Sequence, residues 1–219
     1  SEVLYNRVVV PKGGEFKLTL SDGTKVWLNS FSELRYPVNF TAEKRRVFLK
    51  GEAYFDVAKN AQIPFVVTTS AGIDVKVLGT KFNFRDYPDD AEAIVSLSEG
   101  KGALNNLLKK EKEAFLLPNE RVVLNKKNGR MHVEYSTVSN ALQWTNGYLF
   151  FDEELLPDVV KELERSYNVK IQIASDTLNT FRFYGNFVHR EQNIQEVLEA
   201  LSATRKIHYI IEGHNITLY

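Results

Sequence analysis

Between Leu49 and Phe84 the chain reads LKGEAYFDVAKNAQIPFVVTTSAGIDVKVLGTKFNF, several short alternating segments set between fixed glycines. Ala53, Phe55 and Val57 alternate with Tyr54 and Asp56, and Ile73, Val75 and Val77 alternate with Asp74 and Lys76. A period of two is the pattern of half-buried strands, which turn one face to a core and the other to water. Gly51 and Gly79 interrupt it. A glycine within strand sequence marks a point where a side chain would be crowded or the backbone needs positive φ, so both read as corners of a compact β fold. The run carries no reactive constellation and reads as scaffold.

The same texture extends from Tyr5 to about Tyr135. Runs such as Phe16, Leu18, Leu20 and Val122, Leu124 are separated by turn chemistry at Ser21-Asp22-Gly23, Tyr87-Pro88-Asp89-Asp90 and Lys127-Asn128-Gly129. Many short strands with regular turns predict a sandwich or a short solenoid-like stack. The 14 Phe, 10 Tyr and 2 Trp suit pleated, half-buried surfaces.

Composition excludes several kinds of chemistry. With no Cys the chain has no disulfide, thiolate nucleophile, Cys-ligated zinc or iron-sulfur cluster. Lys plus Arg and Asp plus Glu balance at 28 each, which leaves no overall field to draw nucleic acid or an anionic membrane. The longest apolar runs, such as Phe65 to Val67 or Ile207 to Ile211, are strand-length and far short of the roughly 20 residues that span a bilayer.

The pattern changes after Ser136. A short helix is predicted around Val138 to Gln143, followed by Trp144 and a strand from Gly147 to Phe151. Leu155, Leu156, Val159, Val160, Leu163 and Tyr167 then form an apolar stripe at helical spacing, with Pro157 in the first turn, where its missing N–H costs nothing. Val169, Ile171 and Ile173 alternate as a strand. This strand-helix-strand unit, residues 147–173, aligns without gaps on residues 185–211. Gly147 meets Gly185, Leu156 meets Ile194, Val159 meets Val197, Val160 meets Leu198 and Leu163 meets Leu201. The unit reads as an internal duplication. A final hairpin, Gly213-His214-Asn215, adds the strand Ile216 to Tyr219. The chain therefore reads as an all-β domain over residues 1–136 and an α+β domain of two βαβ units over residues 137–219.

Two stretches are similar to known families. Lys50, Gly51, Glu52, Ala53, Tyr54, Phe55, Asp56 and Val57, then Pro64 and Phe65, then Val77, Leu78, Gly79, Thr80, Phe82 and Asn83 resemble the ectodomain of FecR-family anti-sigma regulators. The likeness continues upstream through Leu20 to Thr24, Val26, Trp27, Leu28 and Asn29, and downstream through Glu99 and Gly100. Gly102, Asn119 and Phe84 depart from that pattern; Asn tolerates the left-handed conformation, so a turn at Asn119 is kept. Residues from Trp144 to Thr217, among them Asn146, Gly147, Leu149, Phe151, Leu163, Glu164, Arg165, Tyr167, Phe183, Gly185, Phe187, Tyr209 and Gly213, resemble the C-terminal domain of such proteins in Bacteroidetes. That domain is similar to the short N-terminal module of secretins and TonB-dependent receptors.

The resemblance implies the periplasmic ectodomain of a single-pass inner-membrane anti-sigma factor, with its cytoplasmic segment and transmembrane helix outside this chain. It further implies a partner, the N-terminal signalling domain of a TonB-dependent outer-membrane receptor, and regulation of an ECF sigma factor through the cytoplasmic segment. Strand edges are the natural contact, because their main-chain groups can pair with a strand of another domain. The candidate interaction residues are Arg182, Phe183, Tyr184 and Phe187 on one strand and Ile216, Thr217, Leu218 and Tyr219 on the other.

No enzyme, cofactor or metal site is expected. His132, His189, His208 and His214 form no helical ligand pair, and His132-Val133-Glu134 lacks the Cys ligands of the deaminase signature it half matches. Asp152, Glu153 and Glu154 read as helix N-terminal residues complementing the macrodipole, and Asp89, Asp90 and Glu92 as a solvated turn. The alternative reading is a carbohydrate- or cell-wall-binding β module using Trp27, Trp144, Tyr36 and Tyr87 as stacking rings.

Overall fold

The structure, a computed structural model, describes residues 3–43, 45–107 and 113–219. The chain divides into two compact units: Ser1–Pro11 with Glu15–Leu142, and Lys12–Gly14 with Gln143–Tyr219.

Among the described residues the first unit holds thirteen strands and one short helix. They are β1 (Tyr5–Val9), β2 (Phe16–Thr19), β3 (Lys25–Leu28), β4 (Glu33–Pro37), β5 (Arg45–Asp56), β6 (Phe65–Thr69), β7 (Ile73–Val77), β8 (Lys81–Asp86), β9 (Glu92–Glu99), β10 (Gly102–Asn106), β11 (Ala114–Leu116), β12 (Glu120–Asn125), β13 (Met131–Tyr135) and α1 (Val138–Ala141). One sheet runs β11-β10-β7-β6-β5-β4-β1 and the other β2-β3-β5-β8-β9-β12-β13. All pairings are antiparallel except β5 with β6. The long strand β5 belongs to both sheets: its first half pairs with β4 and β6, its second half with β3 and β8. Both sheets feed one core that includes Leu34, Val47, Phe55, Phe65, Phe82 and Phe84, with Phe55 stacked on Phe82 at 5.1 Å between ring centroids. The unit is a sandwich, which decides between the two architectures the sequence left open.

Gly51 is the corner. It sits in β5 where the strand passes from one sheet to the other, at φ +98°, and a Cβ there would lie 2.9 Å from the Ser32 Cα. Both the conformation and the space exclude a side chain. Asn119 adopts φ 66° and its N–H donates to the Leu97 carbonyl, so the turn at this departure from the family pattern is intact. Gly102 lies in regular strand opposite Val77 and Leu116, which fixes its register.

Beside the corner, Glu52 is 4 % exposed, and its carboxylate accepts from Asn29 Nδ2 at 2.9 Å and Asn83 Nδ2 at 2.8 Å. The Glu52 N–H donates to Ser32 Oγ at 2.9 Å. A buried carboxylate is tolerated only when its oxygens are satisfied in this way.

The second unit contains a 3-10 turn (Gln143–Asn146), β14 (Tyr148–Leu155), α2 (Leu156–Tyr167), β15 (Lys170–Ile173), a second 3-10 turn (Asp176–Thr180), β16 (Arg182–Val188), α3 (Ile194–Ser202), β17 (Tyr209–Glu212) and β18 (Asn215–Leu218). The strands β14 and β16 form an antiparallel ribbon, and β15-β18-β17 a second sheet. One core gathers Leu149, Phe151, Phe183 and Phe187 from the ribbon, Leu156, Val159, Leu163, Val197, Leu198 and Leu201 from the helices, and Ile171, Ile216 and Leu218 from the other sheet. The helix α2 ends on Asn168 in the left-handed conformation. The start of α3 is a capping box, with Asn193 and Glu196 each accepting the other's backbone N–H.

Strand-helix-strand occurs twice in this unit, and the first strands of the two occurrences pair with Leu149 opposite Phe187. Leu156 and Ile194 each open a helix, and β15 and β17 flank β18 on either side.

Gly51→Ala is expected to lower the unfolding free energy by about 1–3 kcal/mol, the range for a forced non-glycine backbone conformation. Gly102→Ala should cost clearly less, because its φ is not positive and its Cβ would meet Val77 at 3.4 Å. Urea midpoints of the two variants make the comparison.

Candidate protein-interaction site

Among the described residues no group of three or more His, Asp or Glu side chains is placed to hold a metal ion. His132 hydrogen-bonds Glu134 on its own strand at 2.8 Å. His189 is not simply solvated: its Nε2 donates to the Ser166 carbonyl at 2.9 Å and its ring meets Tyr167 edge-on. His208 pairs through its backbone with Tyr219, and His214 lies in the final turn.

The acidic triplet is not a helix cap. Asp152, Glu153 and Glu154 belong to β14, which runs on to Leu155; the N-cap of α2 is Leu155, without a side-chain hydrogen bond, and only Asp158 supplies an acid to the first turn. The triplet forms a β-bulge between Phe151 and Glu154, with Glu153 at φ 52°, and Arg182 donates to the Glu153 carbonyl at 2.7 Å. A bulge inserts an extra residue and extends the strand, which local helix-start chemistry does not reveal. In the other acidic turn, Asp90 accepts from Arg85 Nε at 2.9 Å.

The aromatic side chains offer little open platform. Tyr87 is fully buried, its hydroxyl donating to the Ser30 carbonyl, and Trp144 is 9 % exposed. Trp27 is half-buried against Tyr54, 5.3 Å between centroids, and Tyr36 is packed against the core.

The interaction candidates divide sharply. Ile216 and Leu218 are buried in the core, Thr217 is half-buried and Tyr219 exposed. Their strand β18 is the centre of its sheet, hydrogen-bonded in parallel to β15 and antiparallel to β17, so the expectation of an edge here is corrected. The physical reason is the final hairpin: it folds the chain back from β17 into the gap between the two repeats, where Ile216 and Leu218 reach the core. The edges of this sheet are β15 and β17, and β17 exposes Ile210 and Ile211.

The other candidate strand, β16, pairs with β14 alone among the described residues. The His189 N–H donates to the Gly147 carbonyl and the Leu156 N–H to the Phe181 carbonyl, which sets the ladder phase on both sides of the bulge. Phe183, Gly185 and Phe187 therefore turn their main-chain groups toward β14, and Arg182, Tyr184 and Asn186 turn theirs outward. Phe183 and Phe187 are buried, whereas Arg182, Asn186 and Tyr184, 67 % exposed and edge-on to Phe150, face solvent.

Comparison with known proteins agrees with this two-unit architecture. Residues 6–101 match the family described as FecR protein, and residues 148–218 the one described as FecR, C-terminal. Two crystal structures from Parabacteroides distasonis ATCC 8503, each of a protein assigned as an anti-sigma factor, align with 33% sequence identity and a TM-score of 0.90. The alignments cover 98% of both chains in the structure at 1.65 Å and 99% of both in that at 2.50 Å. The chain belongs to the FecR family of anti-sigma factors. No curated protein matches it. FecR proteins are regulatory and membrane-anchored; among the described residues of this chain no helix is long and apolar enough to cross a membrane.

Electrostatics in this FecR chain are local. Arg121, and then His132, holds the Glu134 carboxyl below its usual range, and Arg7 does the same for Glu33. Burial, with Glu196 adding to it, pushes the Tyr167 phenol up to about 12, and its hydroxyl donates to the Gln192 carbonyl at 3.1 Å.

Two outcomes follow from these placements. Thr217→Pro removes a ladder donor from a central strand, so the unfolding free energy should fall by about 1–3 kcal/mol, measured in urea. The raised Tyr167 group contributes stability that is complete below the unfolded phenol's value of about 10 and is lost as pH rises toward 12. Tyr167→Phe should flatten that alkaline decline in a pH series of urea midpoints.

Proposed function

We propose that this FecR-family chain is the periplasmic sensor and relay part of a transmembrane anti-sigma factor. In this reading it binds the signalling domain of a substrate-loaded TonB-dependent outer-membrane receptor. A cytoplasmic segment outside this chain then regulates an ECF sigma factor. The chain acts by binding and catalyses nothing.

The observation that carries the reading is the outer edge of β16 within the region matching the FecR C-terminal family. It presents the outward main-chain groups of Arg182, Tyr184 and Asn186, with Arg182 and Tyr184 exposed beside them. An extended strand of the receptor domain adds to this edge through main-chain hydrogen bonds, and the exposed side chains supply selectivity. Phe183, Phe187, Ile216 and Leu218 support the surface from the core. Thr217 and Tyr219 hold the sheet on the other side of the core.

Titration against the receptor's isolated signalling domain tests the proposal, with affinity expected near the micromolar range of small transient interfaces. Asn186→Pro removes an outward donor without breaking the ribbon, so binding should weaken while thermal unfolding stays nearly unchanged. Tyr184→Ala should weaken it about tenfold, as for an exposed aromatic anchor. No binding by the wild-type chain, or wild-type affinity in both variants, would overturn the reading.

A further inference from the structure

We infer that β13 is a self-complementary sheet edge through which two copies of this chain pair about a two-fold axis at Val133. The strand is the last of its sheet and pairs only with β12 among the described residues. Its ladder phase is fixed at both ends, where the Asn125 N–H donates to the Arg130 carbonyl at 2.9 Å and the Ser136 N–H to the Asn119 carbonyl at 3.0 Å. His132 and Glu134 therefore turn their main-chain groups toward β12, and Met131, Val133 and Tyr135 turn theirs outward.

The side chains tell the same story. Val133 lies opposite Val122, which is fully buried, and Met131 packs against the core, so Met131, Val133 and Tyr135 share the core-facing side of the sheet. Yet Val133 is 48% exposed and Tyr135 90%. Core-facing residues are left uncovered because the sheet stops one strand early, a state that invites edge-to-edge pairing. His132 and Glu134 occupy the opposite face, where Glu134 also meets Arg121 at 2.7 Å.

A second copy is the occupant because the strand reads as its own complement. Laid antiparallel on itself about Val133, the sequence Met-His-Val-Glu-Tyr sets Val133 against Val133, Met131 against Tyr135 and His132 against Glu134. All three outward-facing residues then enter hydrogen-bonded ladder pairs. Each uncovered aromatic gains a thioether neighbour, a favourable sulfur-aromatic contact, and each carboxylate faces an imidazole across the strands. Moving the axis to Glu134 sets that carboxylate against its own copy, and like charges directly opposite destabilise a pairing; moving it to His132 leaves Tyr135 opposite residue 129, beyond the strand. The axis at Val133 is thus the register that pairs all five residues of the strand. The interface is isologous and closes at the dimer.

Sedimentation velocity of the 219-residue chain from about 1 µM to about 1 mM, the span expected for a small interface, tests this. The average mass should rise from monomer to dimer and stop there. Val133→Pro removes an N–H that has no ladder partner in the monomer, so it should abolish the rise while leaving thermal unfolding nearly unchanged. His132→Glu alone places two carboxylates opposite one another, and the double variant His132→Lys with Glu134→Lys places two ammonium groups opposite one another, so each should be monomeric; mixing the two variants should restore a dimer. A wild-type chain that remains monomeric throughout, a Val133→Pro chain that dimerises as before, or a mixture that gains nothing over its components would overturn the proposal.

Discussion

The first unit depends on one bend. The strand β5 contributes its first half to one sheet and its second half to the other, and the passage is made at Gly51, where positive φ and the nearby Ser32 backbone leave room only for a hydrogen atom. Without that corner the two sheets would be one long ribbon with no enclosed face. With it, Val47 and Leu49 from one half and Ala53 and Phe55 from the other enter the same core. The polar cluster beside the corner completes the constraint. Glu52 follows Gly51 directly, and its carboxylate ties Asn29, at the end of β3, to Asn83 on β8, while its N–H is held by Ser32. Bend and network therefore specify one another: the turn delivers the carboxylate to the two amides, and the amides make its burial tolerable.

The second unit meets a different constraint. Two strand-helix-strand repeats each need a sheet for the apolar face of their helix, and neither can provide it alone. Pairing β14 with β16 about Leu149 and Phe187 covers one side of both helices. On the other side the repeats leave β15 and β17 apart, and β18 fills the space, bringing Ile216 and Leu218 into the core. The last strand is thus the one that joins the repeats. This is why it has no free edge and why the open edges fall to the strands of the repeats themselves.

Much of this was legible in the sequence where the information is local. Alternation at Ile73, Val75 and Val77 marked a strand, the stripe from Leu156 to Leu163 marked a helix, and Pro157 marked its first turn. The same short-range reasoning failed at residues 152–154, where three acids before a helix look like caps but form a bulge that prolongs β14. It also failed at Ile216 to Tyr219, because strand order is set by which gap a hairpin can fill, and position in the chain carries no such information. Asn29, Glu52 and Asn83 stood out as residues of the family resemblance, yet their convergence on one carboxylate is a property of three strands at once. The residues that identify the family are accordingly those that hold the bend. The exposed residues proposed for contact, Arg182 and Tyr184, are distinguished only by the side of the ladder on which they fall.

An open edge is a hazard that soluble β proteins manage with charge, brevity or cover. The ribbon edge at β16 carries Arg182 beside Tyr184 and Asn186, a mixed surface that resists indiscriminate strand addition yet leaves main-chain groups available to a matched partner. The edge at β13 uses charge differently. His132 and Glu134 stand two residues apart on one face, with Val133 midway on the other, so an axis at Val133 sets imidazole against carboxylate while an axis at Glu134 sets two carboxylates together. Selectivity in both places comes from what the flanking side chains forbid, since the backbone contribution is the same for any strand that docks. On the proposed reading, specificity is carried by a few exposed residues on these edges, while the sandwich and the core of the second unit keep those edges fixed in register.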